Sequence, residues 1–434
     1  MPELFWNLGR ASRQISVASI ARAAVCYGKG GKGLRASDKP REAHVVITHS
    51  GYRLAPVARS LRVVEALSRS QRDDFVRLPW RIYRDDPHWV PPLLVERKAF
   101  INPQKHPFYQ HGAATLFVAY WGAEPVGRIL VSDDPRFNAQ HGTNVGGFGM
   151  WESIDDAEVT HSLLDAAEGW LRGRGRTGML GPMDYSTNYS CGLLVDGFNT
   201  PPRVMMNHNP PYYEELLTSW GLTKAKDLYA WWFTDNTRIE AWRPRVERLV
   251  RRSGVKIRYM RRDDVFQEIQ TCKRLYNEAW NENWGFVPMS DAEFDDMARL
   301  LKHLAVAEML LVAEVNGEAV GFSITLPDFN EAIGPLNGRL TRFGLPIGLL
   351  RLRTNLKRIK TARLIALGVL PEFRRRGIAE MLILRTFDYG RDQLGYTGAE
   401  LSWTLEDNQL INRTIEAVGG TRYKTYRMFE KAIA

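Results

Sequence analysis

Arg374, Gly377 and Ala379, set in the run Arg374, Arg375, Arg376, Gly377, Ile378, Ala379, are residues that could bind a phosphate. The first amides of a helix have no internal acceptor and carry partial positive charge, so an anion binds there when the backbone is accessible. Glycine and alanine keep side chains out of that approach. Ahead of the loop, the apolar run from Arg363 to Leu370 suits a strand buried on both faces, and Pro371 stops it. Behind it, Met381, Leu382, Leu384 and Phe387 recur at helical spacing within Glu380 to Leu394. A basic helix start facing only water would use the same residues.

Leu367, Val369, Pro371, Arg374, Gly377 and Ala379 together spell LxVxPxxRxxGxA. This resembles the acyl-CoA-binding motif of GNAT-fold N-acyltransferases. The resemblance implies that the loop amides hold the CoA diphosphate. It puts Leu367, Val369, Leu370, Arg374, Arg375, Arg376, Gly377, Ile378 and Ala379 on the CoA side, with Asn408 and Asn412 beyond the next strand.

It also implies direct attack of an amine on the thioester, with no metal, between strands Leu364 to Leu370 and Glu400 to Leu405. The first strand holds no acid or histidine. The base is therefore sought in Glu406 or Glu282, each of which reads equally as a capping or salt-bridged carboxylate. Ile415 and Gly420 stand where many members of the family have the tyrosine and phenylalanine of NxxAxxLYxxxGF, so Tyr423, Tyr426 or solvent is left to protonate the thiolate. The acceptor side is expected in the loop AWNENWGFVPMS, through Trp280, Asn283, Trp284 and Phe286, together with Trp403. The two tryptophans of that loop also suit a core.

The 434 residues, 44% of them hydrophobic, suffice for two or three domains with proper cores. A net charge of +10 favours an anionic partner, whether CoA, lipid headgroups or nucleic acid. Cys26, Cys191 and Cys272 are too few and too scattered for a disulfide or zinc framework, which points to a reducing, cytoplasmic setting. No apolar run is long enough to span a bilayer.

Residues 1–60, rich in Arg, Ser, Ala and Gly, read as a basic, disordered extension or a transit peptide. Two units follow, over 61–240 and 250–434, with elements in the same order. Val118, Ala119, Gly122, Glu124, Val126 and Gly127 match Val312, Ala313, Gly317, Glu318, Val320 and Gly321; Gly175 and Gly178 match Gly395 and Gly398; Gly221 and Lys224 match Gly420 and Lys424. The chain reads as an internal duplication.

Where the second unit has its basic loop, the first has Asp155, Asp156 and Glu158, which would repel a diphosphate. The first unit is therefore expected to be degenerate, a scaffold or one wall of the acceptor site. Its segment Gly181 to Pro211, with Tyr185, Asn188, Tyr189 and Met205, could line a long apolar ligand or pack as core.

An insertion at about 331–360 carries arginines and lysines among leucines, with no acid between Arg339 and Arg363. Such a segment can lie on an anionic membrane or pack its leucines inward. The expected fold is α+β, two tandem GNAT-like domains with mixed sheets flanked by helices. PWRIYRDDPHWVPPL, GLLVDGF, NPPYYEEL and NENWGFVP are similar to phrases of the tandem-GNAT group that includes bacterial ceramide synthases. That implies a long-chain sphingoid base as acceptor, with a small-molecule or amino-acid N-acetyltransferase as the alternative. A nucleic-acid-binding protein is the reading on charge alone.

Overall fold

The computed structural model describes residues 60–234, 237–261 and 263–433. The expected extension up to residue 59 lies outside them. The strands are β1 Leu61–Glu65, β2 Ala113–Trp121, β3 Glu124–Asp133, β4 Val145–Ser153, β5 Gly178–Gly181, β6 Leu193–Asp196, β7 Thr223–Phe233, β8 Val255–Tyr259, β9 Leu310–Val315, β10 Glu318–Pro327, β11 Thr361–Val369, β12 Gly398–Leu405 and β13 Thr421–Ala432. Among the described residues they form one sheet in the order β1-β2-β3-β4-β5-β13-β7-β12-β11-β10-β9-β8, with β6 pairing β13. Only β4 with β5 and β11 with β12 run parallel. The helices include α1 Ala157–Arg172, α2 Thr237–Ser253, α3 Val265–Trp280, α4 Asp291–Leu304, α5 Ile347–Leu356, α6 Ile378–Leu394 and α7 Gln409–Ala417, of which α3, α4, α6 and α7 line the site.

The sheet order is a palindrome of two like halves, and the hairpins show it residue by residue. Ala119 pairs Gly127 in the first, as Ala313 pairs Gly321 in the second. Gly122 and Gly317, both at positive φ, turn the two hairpins. Gly395 caps its helix in the left-handed conformation and Gly175, in the turn after the matching helix, shares it, each three residues before the parallel strands that open at Gly178 and Gly398. The last pair is out by one: Gly419 (φ 100°), not Gly420, occupies the position of Gly221 (φ 96°).

At the centre the halves exchange strands. The last strand of the first half, β7, pairs with β12 of the second, and β13 of the second pairs with β5 of the first. Thr223 faces Glu430 and Thr421 faces Trp232, so β7 and β13 also meet each other antiparallel along most of their length. The boundary expected at 240–250 falls within α2, whose Ile239, Val246 and Val250 belong to the second half's core. The helical stretch after β1 is broken in two, Arg69–Arg77 and Pro79–Ile82, because Pro79 cannot continue the hydrogen-bond ladder.

Candidate active site

β11 and β12 are joined only at Thr361–Gly398, Ala362–Ala399 and Arg363–Glu400. Past that rung both strands bulge. β11 shifts register against β10 beside Ile365, and β12 shifts against β7 between Glu400 and Trp403, with Ser402 at φ 57°. A bulge bends its strand and adds twist, so two bulges side by side drive the strands apart. A cleft of about 360 Å³ opens between them, bounded by β11 from Arg363 to Val369 and by β12 from Leu401 to Leu405. β10 is the only strand partner of β11 along the cleft, so alternate amides on its other edge face the opening.

Arg363 and Glu400 lock the root of the cleft. Their Nε and Oε1 lie 2.7 Å apart and both side chains are buried. Arg363 also donates to the Val204 carbonyl (2.7 Å) and the Ser402 hydroxyl (3.2 Å), while Glu400 accepts from the Tyr423 hydroxyl. Neither residue stands out by motif or spacing. The signal for the pair was a lone arginine in an otherwise apolar strand.

At one end the cleft reaches the basic loop. Arg374, Arg375, Ile378, Ala379 and Glu380 line it, as do Leu367 and Val369 of the strand before. Among the described residues the main-chain amides of 375–380 meet no acceptor, and no side chain caps α6. The corresponding helix of the first half, α1, is capped by Asp156, whose carboxylate accepts from the Val159 amide at 3.0 Å. The second half thus leaves open the position that the first fills with its own anion.

Several expected roles are corrected. Gly377 is buried and faces away from the cleft: a Cβ there would lie 3.2 Å from Cβ of Leu249 on α2, and its φ of 79° disfavours any other residue. Ala379 is the residue whose small side chain borders the cleft. Arg374 spends its guanidinium on the carbonyls of Val369 (3.2 Å) and Ala279 (2.8 Å), tying the end of β11 to α3. Arg376 is exposed, lies over Phe373 and does not line the cleft. Leu370 is core. Asn408 lines the cleft, but Asn412 is buried behind it, accepting from Thr404 and donating to the Leu405 carbonyl (3.1 Å).

The four candidate proton carriers lie elsewhere; Tyr423 is outside the cleft, its hydroxyl given to Glu400. Glu406 is ion-paired to Lys224 (2.7 Å), accepts from the Asp227 amide and does not line the cleft. Glu282 is exposed and also outside it. Tyr426 is fully buried, its hydroxyl given to the Asn207 carbonyl (3.2 Å), and burial holds its phenol far above the ordinary value. Among the described residues Glu380 is the one carboxylate lining the cleft. Cys272 also lines it, but burial pushes that thiol up to about 12, leaving it inert as a nucleophile.

The acceptor-side residues do come together: Trp280, Asn283, Trp284, Phe286 and Trp403 all line the cleft. Beyond them lies an apolar wall of Met289, Phe294, Met297 and Phe322, which the sequence analysis did not assign. The first half contributes Thr187, Asn188, Tyr189 and Met205. Asn188 is fixed by donating to the Val287 carbonyl (2.9 Å) and accepting from the Tyr276 hydroxyl (2.7 Å). Of the other two aromatic residues of that segment, Tyr185 is core and Phe198 packs against a core cluster.

Among the described residues, the first half's own chain fills the corresponding place. After β5, Met183 donates to the Phe148 carbonyl (2.6 Å), and the Asp184 carboxylate accepts from the Met150 amide (2.8 Å). Gly149 has no room for a side chain against the Met183 backbone.

One sheet of two like halves, each with a parallel strand pair, of which one is splayed beside an open amide-lined loop, defines a tandem GNAT-fold acyltransferase. A profile of the acetyltransferase (GNAT) family matches residues 269–417. The chain is 39% identical to the bacterial ceramide synthase of Caulobacter vibrioides over 86% of its own length and 98% of that protein. It is 36% identical to protein YghO of Escherichia coli K12, over 85% and 94%. In fold it is similar to a tandem GNAT protein from the clavulanic acid biosynthesis pathway, with a TM-score of 0.53 at 13% identity, covering 86% of this chain and 99% of that one. The chain belongs to the GNAT acyltransferase family, alongside the Caulobacter and Escherichia proteins.

Proposed function

We propose that this protein transfers an acyl group from an acyl-CoA to the primary amine of a long-chain sphingoid base. The observation that carries the acyl-CoA part is the row of unpartnered amides at 375–380, opening into a cleft between diverging strands. A diphosphate satisfies those amides, and the thioester arm then runs along β11 toward Trp403. β11 amides on the cleft edge polarise the thioester carbonyl, and the two walls hold donor and acceptor together. The amine nitrogen bonds to the acyl carbon, the carbon–sulfur bond breaks, and CoA leaves as a thiol with the proton the amine gives up. Since Glu406 and Glu282 are away from the cleft and Glu380 belongs to the first turn of α6, beside the amides assigned to the diphosphate, the reaction draws on the neutral fraction of the amine.

The sphingoid reading is supported by the lining and by the relative that bears the name ceramide synthase. Met205, Met289, Phe294, Met297 and Phe322 suit an aliphatic chain, and Asn188 and Asn283 offer hydrogen bonds to a polar head. Free CoA released from a panel of acyl-CoAs with sphinganine and with short amines tests it. Turnover with sphinganine is expected. Turnover confined to short amines would leave an N-acetyltransferase and remove the ceramide reading.

A further inference from the structure

We propose that the insertion over 339–358 docks the protein on an anionic phospholipid bilayer, with Phe343 and Leu345 entering the acyl region. Residues 342–345 form a closed turn, in which Arg342 and Leu345 exchange main-chain hydrogen bonds of 2.9 and 3.0 Å. Phe343 stands at its tip, 87% exposed and at φ 53°, a left-handed conformation that a bulky residue rarely takes. Leu345 (59%) and Leu350 (61%) extend the apolar surface. Such groups on one short segment are more than the scattered apolar exposure of an ordinary surface.

The charge around them commits the occupant. Arg339, Arg342, Arg351, Arg353, Lys357 and Arg358 are all exposed, and no acid occurs between Glu331 and Glu372. Helix α5 is split in use: Leu349 and Leu352 are buried, Leu352 in a cluster with Phe329 and Leu336, while Leu350 and the cations face outward. Apolar tips ringed by cations match a surface of negative headgroups over hydrocarbon. A nucleic acid would account for the cations but not for three exposed aliphatic and aromatic side chains. The same cluster packs Met205, which also lines the cleft, so the docking face and the site share a wall.

Flotation of the purified protein on phosphatidylcholine vesicles with and without phosphatidylglycerol tests the proposal without acyl-CoA or amine, and so independently of the substrate reading. Binding is expected on the anionic vesicles, weakened by salt, and lowered about tenfold by Phe343→Ser with Leu345→Ser at an unchanged melting temperature. Equal binding to neutral vesicles, or undiminished binding of the double variant, overturns it. So does retention on duplex DNA with no vesicle binding.

Discussion

Arg363 Nε lies 2.7 Å from Glu400 Oε1 on the last paired rung of β11 and β12, so the cleft opens directly from a buried ion pair. Removing one partner leaves the other charged and buried. Glu400→Gln should cost roughly 3–5 kcal/mol in urea unfolding. Arg363→Met in the same chain should recover part of that loss. A single variant within about 1 kcal/mol of wild type would show that the pair does not hold the strands.

Ala379 and Asp156 occupy corresponding helix starts with opposite consequences. Ala379→Asp places a carboxylate beside the open amides and should raise the KM for acyl-CoA at least about tenfold, the equivalent of 1.4 kcal/mol. Asp156→Ala removes a cap and should cost about 1 kcal/mol of stability while leaving acyl-CoA kinetics untouched. Steady-state kinetics on both variants, with thermal melts, separate binding from folding.

Because Glu406 is held by Lys224 and the Asp227 amide, Glu406→Gln should keep kcat within about twofold. Tyr426→Phe should lose about 1 kcal/mol of stability and little activity. If the amine reacts from its own neutral fraction, log kcat/KM should climb with unit slope until the free amine is itself deprotonated. A plateau well below that point would reveal a titrating group on the protein.

The sequence carried the second half's site further than its chemistry. Loop, strand and acceptor aromatics could be found because Pro371, the arginine run and the Trp-rich turn are local signals. What stayed hidden depends on partners far along the chain. Glu406 and Arg374 look available for catalysis or phosphate until Lys224 and the Ala279 carbonyl are seen beside them. Gly377 reads as an open door, whereas its missing side chain makes room for α2. The hairpins betrayed the duplication through shared register, but no local pattern could announce that the closing strands change places.

Lys424 is buried with its ammonium donating to the Gly197 and Thr200 carbonyls, and burial lowers it to about 8 against the attraction of Glu400. Below pH 8 both folded and unfolded chains hold the proton, and the burial cost is fully present. Between about 8 and 10.5 only the unfolded chain holds it, so this residue adds stability as pH rises, by up to about 1.4 kcal/mol per unit. The difference in unfolding free energy between wild type and Lys424→Met should therefore change across that window and stay flat beneath it. A difference constant from pH 7 to 10.5 would place the lysine's titration elsewhere.

The crossing of β7 and β13 bears on how the molecule comes into being. Until residues 421–432 emerge from the ribosome, β5 keeps a bare edge and β7 waits with one flank unclaimed. A chain cut before residue 421 leaves both of those edges unpaired, and the sheet is closed by the same late segment for both halves.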